Sequence, residues 1–277
     1  MPKAAEVTVA AWQLEGLLLE RYIYSCGAVE PIPKHTHAEY QFALCLDWQG
    51  EYYYRGAWHH LPEGSLSIIH PGEVHAPSEK TYVPAPATYL MMNAASDRLQ
   101  VAATEIIGKT ANLPFFETLF VCDSELTCTY LQFHQLASQP GVELERDSIL
   151  LLLLAQLITH YAKDPAIAPL KRSRPEVMRV RDFLHDYYAQ NITLEQLADI
   201  AQLSRFHLCR VFSKEIGVPP HVYQMQLRID RAKQLLNQGV KIAEVASQVG
   251  FYDQSHFGSY FRRFVGVTPS HYMVGSW

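Results

Sequence analysis

Two hydrophobic periods divide this chain. Up to about residue 110 the runs are short: "YQFALCLDW", "EYYYRG", "AWHHLPEG" and "SLSIIHPGE", punctuated by Gly50, Gly56, Gly64 and Pro71-Gly72. Aromatic and β-branched runs with turn residues at roughly eight-residue spacing predict antiparallel strands closing into a barrel or sandwich. "ATYLMMNA" (87–94) predicts a further strand. From about 113 the period lengthens, and "LPFFETLFVCDSELTCTYLQFHQLA" and "LERDSILLLLLAQLITHYA" predict two helices. The second is apolar almost all round, so it is expected to be buried on more than one side, against the barrel or a second copy of the chain. "KDPAIAPLKRSRPEV" (163–177), with three prolines and four basic residues, reads as a linker. The expected organisation is a barrel over 1–110, a helical connector and dimerisation region over 111–163, a linker over 164–176 and a helical region over 177–277.

The helical region contains a repeat. "ITLEQLADIAQLSRFHLCRVFSKEIGVPPHVY" (192–223) aligns with "KIAEVASQVGFYDQSHFGSYFRRFVGVTPSHY" (241–272). Leu197-Ala198, Ala201 and Leu203 match Val245-Ala246, Val249 and Phe251 at a shift of 48. Leu208, Phe212, Gly217, Val218, Pro220 and Tyr223 match Phe257, Phe261, Gly266, Val267, Pro269 and Tyr272 at a shift of 49. One extra residue in a turn accounts for the change of shift. Each unit, about 192–213 and 241–264, reads as helix, turn, helix. In the first, Leu194, Leu197, Ala198 and Ala201 make an apolar stripe, and Thr193 and Ser204 are placed to cap the two helices. The second helix of each unit has one face for the core and one for solvent, as in a helix-turn-helix whose second helix enters the major groove. Those outer faces carry Arg205, His207 and Arg210 in one unit, and Gln254, Ser255, His256, Gly258, Ser259, Arg262 and Arg263 in the other. Between them, "HVYQMQLRIDRAKQLLNQGV" predicts a helix ended at Gly239. If it separates the reading helices by about one DNA turn, roughly 34 Å, both meet successive grooves on one side of a duplex.

At this point the chain resembles the AraC/XylS transcriptional regulators. "GFYDQSHFGSYFRRFVGVTPSHY" is similar to that family's signature, and "AEVASQVGF" and "QLRIDRAKQLL" to other family segments; together they cover about 100 C-terminal residues. The resemblance implies base and phosphate contacts from Arg205, Phe206, Cys209 and Arg210 in the first reading helix. In the second it implies Gln254, Ser255, Gly258 and Ser259, with Arg262 and Arg263 on phosphate. Gly258 and Ser259 are small where family members often carry longer polar side chains.

Charge supports the division. Residues 1–170 carry 9 Lys+Arg against 19 Asp+Glu, and residues 171–277 carry 14 against 9. An acidic front and basic back direct only the back toward a polyanion. No apolar run reaches the roughly 18–20 residues of a membrane span, and the start of the chain has no long apolar block, so neither a membrane segment nor a secretory leader is expected. Cys26, Cys45, Cys122, Cys128 and Cys209 are odd in number and lack C-x-x-C spacing; they are expected as free thiols in a reducing cytoplasm.

The front half holds "PKHTHAEY" (33–40). His35, His37, Glu39 and Gln41 share a face if the stretch is a regular strand, and His75 in "PGEVH" can join them from a neighbouring strand. "KHTHAEYQFALCLDWQGEYYYRGAWHHLPEGSLSIIHPGEVHAP" resembles the cupin barrel found at the front of many AraC-type regulators. Metal-binding cupins carry a glutamate where this chain has Gln41 and an asparagine where it has Glu79. Three readings stay open for the histidines: a polar pocket for a small organic effector, a three-histidine metal site, or hydrogen bonds internal to the barrel. The effector pocket is the preferred reading, with His35, His37, Glu39, Gln41, Tyr52 and His75 as its residues and no metal or other cofactor. "EYYY", Trp58 and Arg21 are further candidates for the lining.

The expected protein is a two-domain regulator: an all-β cupin-like barrel followed by helices, then an all-α tandem helix-turn-helix. It is expected to be cytoplasmic and not an enzyme, to bind double-stranded DNA and a small-molecule effector, to form a homodimer and to meet RNA polymerase. Two alternatives remain, a cupin metalloenzyme fused to a DNA-binding region and a DNA-binding regulator without an effector.

Overall fold

The structure is a computed structural model and describes residues 4–29, 34–78, 82–163, 174–265 and 267–274. The chain divides into two compact units, the first of Met1–Ser138 and Leu152–Ala168, the second of Gln139–Leu151 and Pro169–Trp277. Glu79, Gly266 and residues 164–173 of the expected linker lie outside the described residues.

The first unit is built on antiparallel strands. β1 (Val7–Leu14) and β2 (Leu17–Tyr24) form a hairpin over Glu15-Gly16. β4 (Tyr40–Cys45) lies between β7 (Leu66–Ile69) and β10 (Ala87–Ala94), and β11 (Phe120–Val121) closes the far edge, giving the order β1-β2-β10-β4-β7-β11. A second sheet runs β6-β5-β8, from β5 (Gly50–Tyr54), β6 (Ala57–Leu61) and β8 (His75–Pro77). β3 (Gly27–Ala28) pairs with β9 (Tyr82–Val83).

Side chains alternate across a strand, and the large sheet uses both faces. On β4 and β10 the even positions Phe42, Leu44, Leu90 and Met92 are buried. Phe42 stands edge-on to Phe116, and Tyr130 donates its hydroxyl hydrogen to the carbonyl of Phe42 at 2.7 Å. The odd positions Gln41, Cys45, Tyr89 and Met91 face the other way, and there they line a cavity.

Three helices complete or leave this unit. α1 (Ser96–Ile107) ends on Gly108. α2 (Ser124–Leu136) starts at Asp123, whose carboxylate accepts from the backbone N–H groups of Glu125 and Leu126. α3 (Glu143–Tyr161) belongs to the second unit up to Leu151 and to the first beyond it. The single helix expected over 113–137 is corrected here. Residues 113–119 are irregular and Phe120–Val121 pair with β7, so the helix starts only at Ser124. Pro114 supplies no amide hydrogen, and the Asp123 cap sets the later start.

The second unit is helical: α4 (Arg174–Tyr187), α5 (Leu194–Ala201), α6 (Arg205–Ile216), α7 (Pro220–Asn237), α8 (Ile242–Gln248), α9 (Gln254–Val265) and α10 (Pro269–Val274). It has two cores. Val177, Val180, Leu184, Leu197, Leu208 and Phe212 form one, joined by Leu144 and Leu151 of α3. Ile229, Ala232, Val245, Phe257 and Phe261 are among the residues of the other. The capping expectations hold. Thr193 and Gln196 bond reciprocally as a capping box, and the Ser204 hydroxyl accepts from the His207 N–H.

Candidate effector cavity and nucleic-acid interface

The cavity in the first unit has a volume of about 220 Å³. Tyr22 and Tyr24 enter it from β2, Tyr89 and Met91 from β10, Gln41 from β4 and Tyr52 from β5. Tyr22 pairs across the sheet with Tyr89, and Tyr24 with Ala87, so period-two alternation on paired strands collects the rings. Tyr22 and Tyr24 stack at 6.3 Å between ring centroids. Burial holds the tyrosines protonated, pushing Tyr52 up to about 12 and Tyr89 well above its ordinary range. The Cys45 thiol is likewise raised to about 12, chiefly by burial, and donates to the carbonyl of Trp48.

The histidines lie at one side of this cavity. His35 lines it from an exposed position, and exchanges backbone hydrogen bonds with His75 at 3.1 Å in each direction. The His35 and His75 rings are 4.3 Å apart, His37 and His75 4.7 Å, and His35 and His37 6.4 Å. A carbonyl only accepts, so Nδ1 of His37 donates to Glu39 O at 2.7 Å; its Nε2 meets the Gln41 amide at 3.0 Å. By the same reasoning Nδ1 of His75 donates to Glu73 O at 3.0 Å, leaving its buried Nε2 with no hydrogen-bond partner among the described residues. Burial first, then the neighbouring His35 and His37, lower the His75 value to about 4.

Of the six residues expected here, His35, Gln41 and Tyr52 line the cavity. His37 stands behind Gln41, and His75 stacks on Tyr52 with 6.0 Å between centroids. Glu39 contributes its backbone carbonyl to His37. Residues 36–39 are not strand, so regular alternation does not extend from β4 back to His35. Trp58 is exposed and packs on Tyr53, and Arg21 lies over the Trp12 ring. Both are absent from the lining. Tyr22, Tyr24, Trp48 and Tyr89 were missed; the alternation in "RYIY" was the signal for Tyr22 and Tyr24. Among the described residues no group of three or more His, Cys, Asp or Glu side chains is arranged to hold a metal ion, and His37 already uses both ring nitrogens.

In the second unit, α6 buries Leu208, Val211 and Phe212. Arg205, His207 and Arg210 are half-buried on its remaining surface. Phe206 and Cys209 pack partly against the core, and the Arg210 guanidinium lies 5.3 Å from the Phe206 ring centroid. That ring can hold Arg210 at a defined angle.

α9 buries Phe257, Tyr260 and Phe261 and exposes Gln254, Ser255, Ser259, Arg262 and Arg263. A Cβ at Gly258 would meet nothing within 4 Å, so that flank of the helix is open. His256 differs from the exposed position expected of it. Its ring packs on Tyr260 at 4.8 Å and Phe251 at 5.5 Å, its Nε2 is buried, and burial lowers its value. Two aromatic neighbours outcompete solvent for it.

A third feature was not read from the sequence. Arg228 on α7 is buried and donates to the carbonyls of Tyr188 and Gln190, both at 2.8 Å, beyond the end of α4. Gln224 donates to the same two carbonyls. A cation at a helix C-terminus meets unsatisfied carbonyls and the negative end of the helix dipole. α7, at about 1.5 Å per residue roughly 27 Å long, is thereby anchored to the first helical core and contributes to the second.

An aromatic cavity in a cupin-like unit of antiparallel strands and two helix-turn-helix units define a DNA-binding regulator with a ligand-binding domain. Residues 18–154 match the AraC-like ligand binding domain, and residues 197–274 match a helix-turn-helix domain. The chain is 32% identical over 240 residues to YbfI, an uncharacterized HTH-type transcriptional regulator of Bacillus subtilis (strain 168), covering 87% of this chain and 86% of that one. It is 23% identical over 269 residues to the lactose operon transcription activator of Staphylococcus xylosus, covering 92% of each. Among solved structures, the C-terminal domain of AraT, a response regulator from Geobacillus stearothermophilus, is 29% identical, with a TM-score of 0.36 over 38% of this chain and 88% of that one. The chain belongs to the AraC family of transcriptional regulators. The expected family and fold class are borne out. No helix among the described residues is long and apolar enough to cross a membrane.

Proposed function

We propose that this regulator changes its grip on DNA when a small molecule enters the barrel cavity. The supporting observation is the aromatic cavity itself, in the ligand-binding domain of a chain that also carries two reading helices. Arg205, His207 and Arg210 of α6 and Gln254, Ser255 and Ser259 of α9 read bases. Arg262 and Arg263 hold phosphate. The working form is a cytoplasmic homodimer that recruits RNA polymerase as an activator, and it performs no catalysis. Within this reading residues 111–163 connect and dimerise, and 177–277 bind DNA. An effector shifts such a balance only by its differential affinity for the two arrangements.

The test uses the intact chain and a duplex selected from random sequence. Affinity is measured by fluorescence anisotropy with and without a small-molecule extract of the host. A change of about fivefold or more, a coupling near 1 kcal/mol, supports effector control. Unchanged affinity in every fraction, with dimers intact, replaces it with an effector-independent regulator.

A further inference from the structure

We infer that the cavity takes an uncharged, hydroxyl-bearing molecule of about one six-membered ring, laid against tyrosine and tryptophan faces. This rests on the effector reading above and names the chemical class that reading leaves open.

Size comes first. A volume of about 220 Å³ falls below the roughly 300–1,000 Å³ of pockets that enclose drug-sized ligands. One ring with short substituents fits such a space.

Charge comes second. No Asp, Glu, Lys or Arg lines the cavity among the described residues. The carboxylate of Glu20 accepts from the Tyr22 hydroxyl at 3.1 Å and from the Asn93 amide at 3.3 Å, outside the lining. Burial keeps Tyr52, Tyr89 and Cys45 protonated at neutral pH. A carboxylate or ammonium seated among the tyrosines, away from the His35 imidazole at the exposed side, would lose water and meet no Asp, Glu, Lys or Arg, which disfavours it.

Shape and polarity come third. Tyr22, Tyr24, Trp48, Tyr52 and Tyr89 give flat aromatic faces. Such faces accept another aromatic ring or the C–H face of a sugar. Polar groups in the wall are the Gln41 amide, the Thr88 and tyrosine hydroxyls, the Cys45 thiol and, at one exposed side, the His35 imidazole. They can donate to and accept from a ligand hydroxyl, so hydroxyl groups rather than ions are what the wall can satisfy.

An aromatic alcohol and a monosaccharide share this chemistry, and two matched pairs separate them. Benzyl alcohol and benzoate have the same ring and differ in charge; so do galactose and galacturonate. Each is titrated calorimetrically into the intact chain at neutral pH, and tryptophan emission is followed in the native protein and in Trp48→Phe. In at least one pair the neutral member should bind about tenfold or more tighter than its carboxylate, with an emission change that Trp48→Phe abolishes. The pair that responds identifies the source. A carboxylate that binds as tightly as its neutral partner in every responding pair overturns the inference, and so does the absence of saturable heat from all four compounds at millimolar concentration. The two readings fail separately. Neutral-selective binding that leaves DNA affinity unchanged removes effector control and keeps the ligand class. A carboxylate isolated from the host extract that alters DNA affinity does the reverse.

Discussion

Tyr260 of α9 donates its hydroxyl hydrogen to the buried carboxylate of Glu145, on the first turns of α3. Arg263 stands 3.9 Å from the same carboxylate. Burial raises the Glu145 value, while Tyr260 and Arg263 pull it down. Tyr260→Phe leaves that carboxylate desolvated without its hydrogen-bond donor and should cost about 1–3 kcal/mol in urea denaturation. Glu145→Gln retains an acceptor and removes the charge, so it should cost less. A loss below about 0.5 kcal/mol in Tyr260→Phe, the range of neutral surface changes, would show that the pair does not hold α9.

The two helix-turn-helix turns place equivalent residues in the left-handed region: Gln202 at φ 55° and Gly250 at φ 85°. A Cβ at Gly250 would stand 2.0 Å from the carbonyl oxygen of Ala189. Gln202 ends α5 and is exposed. Gly250→Ala should therefore destabilise by roughly 2 kcal/mol or more, from backbone strain and overpacking together. Gln202→Gly should stabilise by roughly 0.5 kcal/mol, because relief of the left-handed conformation exceeds the added freedom of the unfolded chain. Opposite shifts of the urea midpoint test the equivalence; shifts of one sign would refute it.

The sequence pattern carried the tandem units because their stripes, caps and turn glycines are local. Thr193, Ser204 and Gly239 each act within a few residues of their position. It carried the strands from Tyr40 onward for the same reason, and "ATYLMMNA" corresponds to β10. The β1–β2 hairpin was equally local, with Glu15-Gly16 between alternating runs, and was overlooked. The cavity was less legible. Its rings come from strands distant in sequence, and Tyr22 meets Tyr89 only through sheet register. The conspicuous histidine motif led to His35 and Gln41, whereas no motif marks Trp48 or Tyr89. Arg228 reads as a surface cation on an amphipathic helix until the carbonyls of Tyr188 and Gln190 are placed beside it.

Three buried imidazoles make the first unit sensitive to acid. Burial lowers His70, His75 and His134 from 6.5 to about 4, the charged neighbour Arg55 adding at His70 and Arg21 at His134. The unfolded chain takes up these protons from about pH 6.5 downward, and the folded chain only near pH 4. Stability therefore rises with pH across that window and is lost as pH falls through it, on the order of 1–3 kcal/mol for each group. His134 has no hydrogen-bond partner at either ring nitrogen among the described residues. His134→Leu should raise the melting temperature at pH 5 and flatten the acid limb of the stability profile. An unchanged slope would mean that His134 is not among the groups that titrate on unfolding.

Arg210 and Arg262 should fail differently on DNA. Arg210 is half-buried on α6 with its guanidinium against the Phe206 ring, an arrangement that suits the base reading proposed for it. Arg262 is exposed late in α9, where a flexible cation suits phosphate. Arg210→Ala should lower affinity for the selected duplex by about 1–3 kcal/mol, roughly five- to 150-fold, with little change on unrelated duplex. Arg262→Ala should weaken both duplexes by a similar factor and reduce the slope of log affinity against log salt by about one, since one fewer counterion is released. Equal losses on both duplexes for both substitutions would take base reading away from α6 and leave it a phosphate-binding helix.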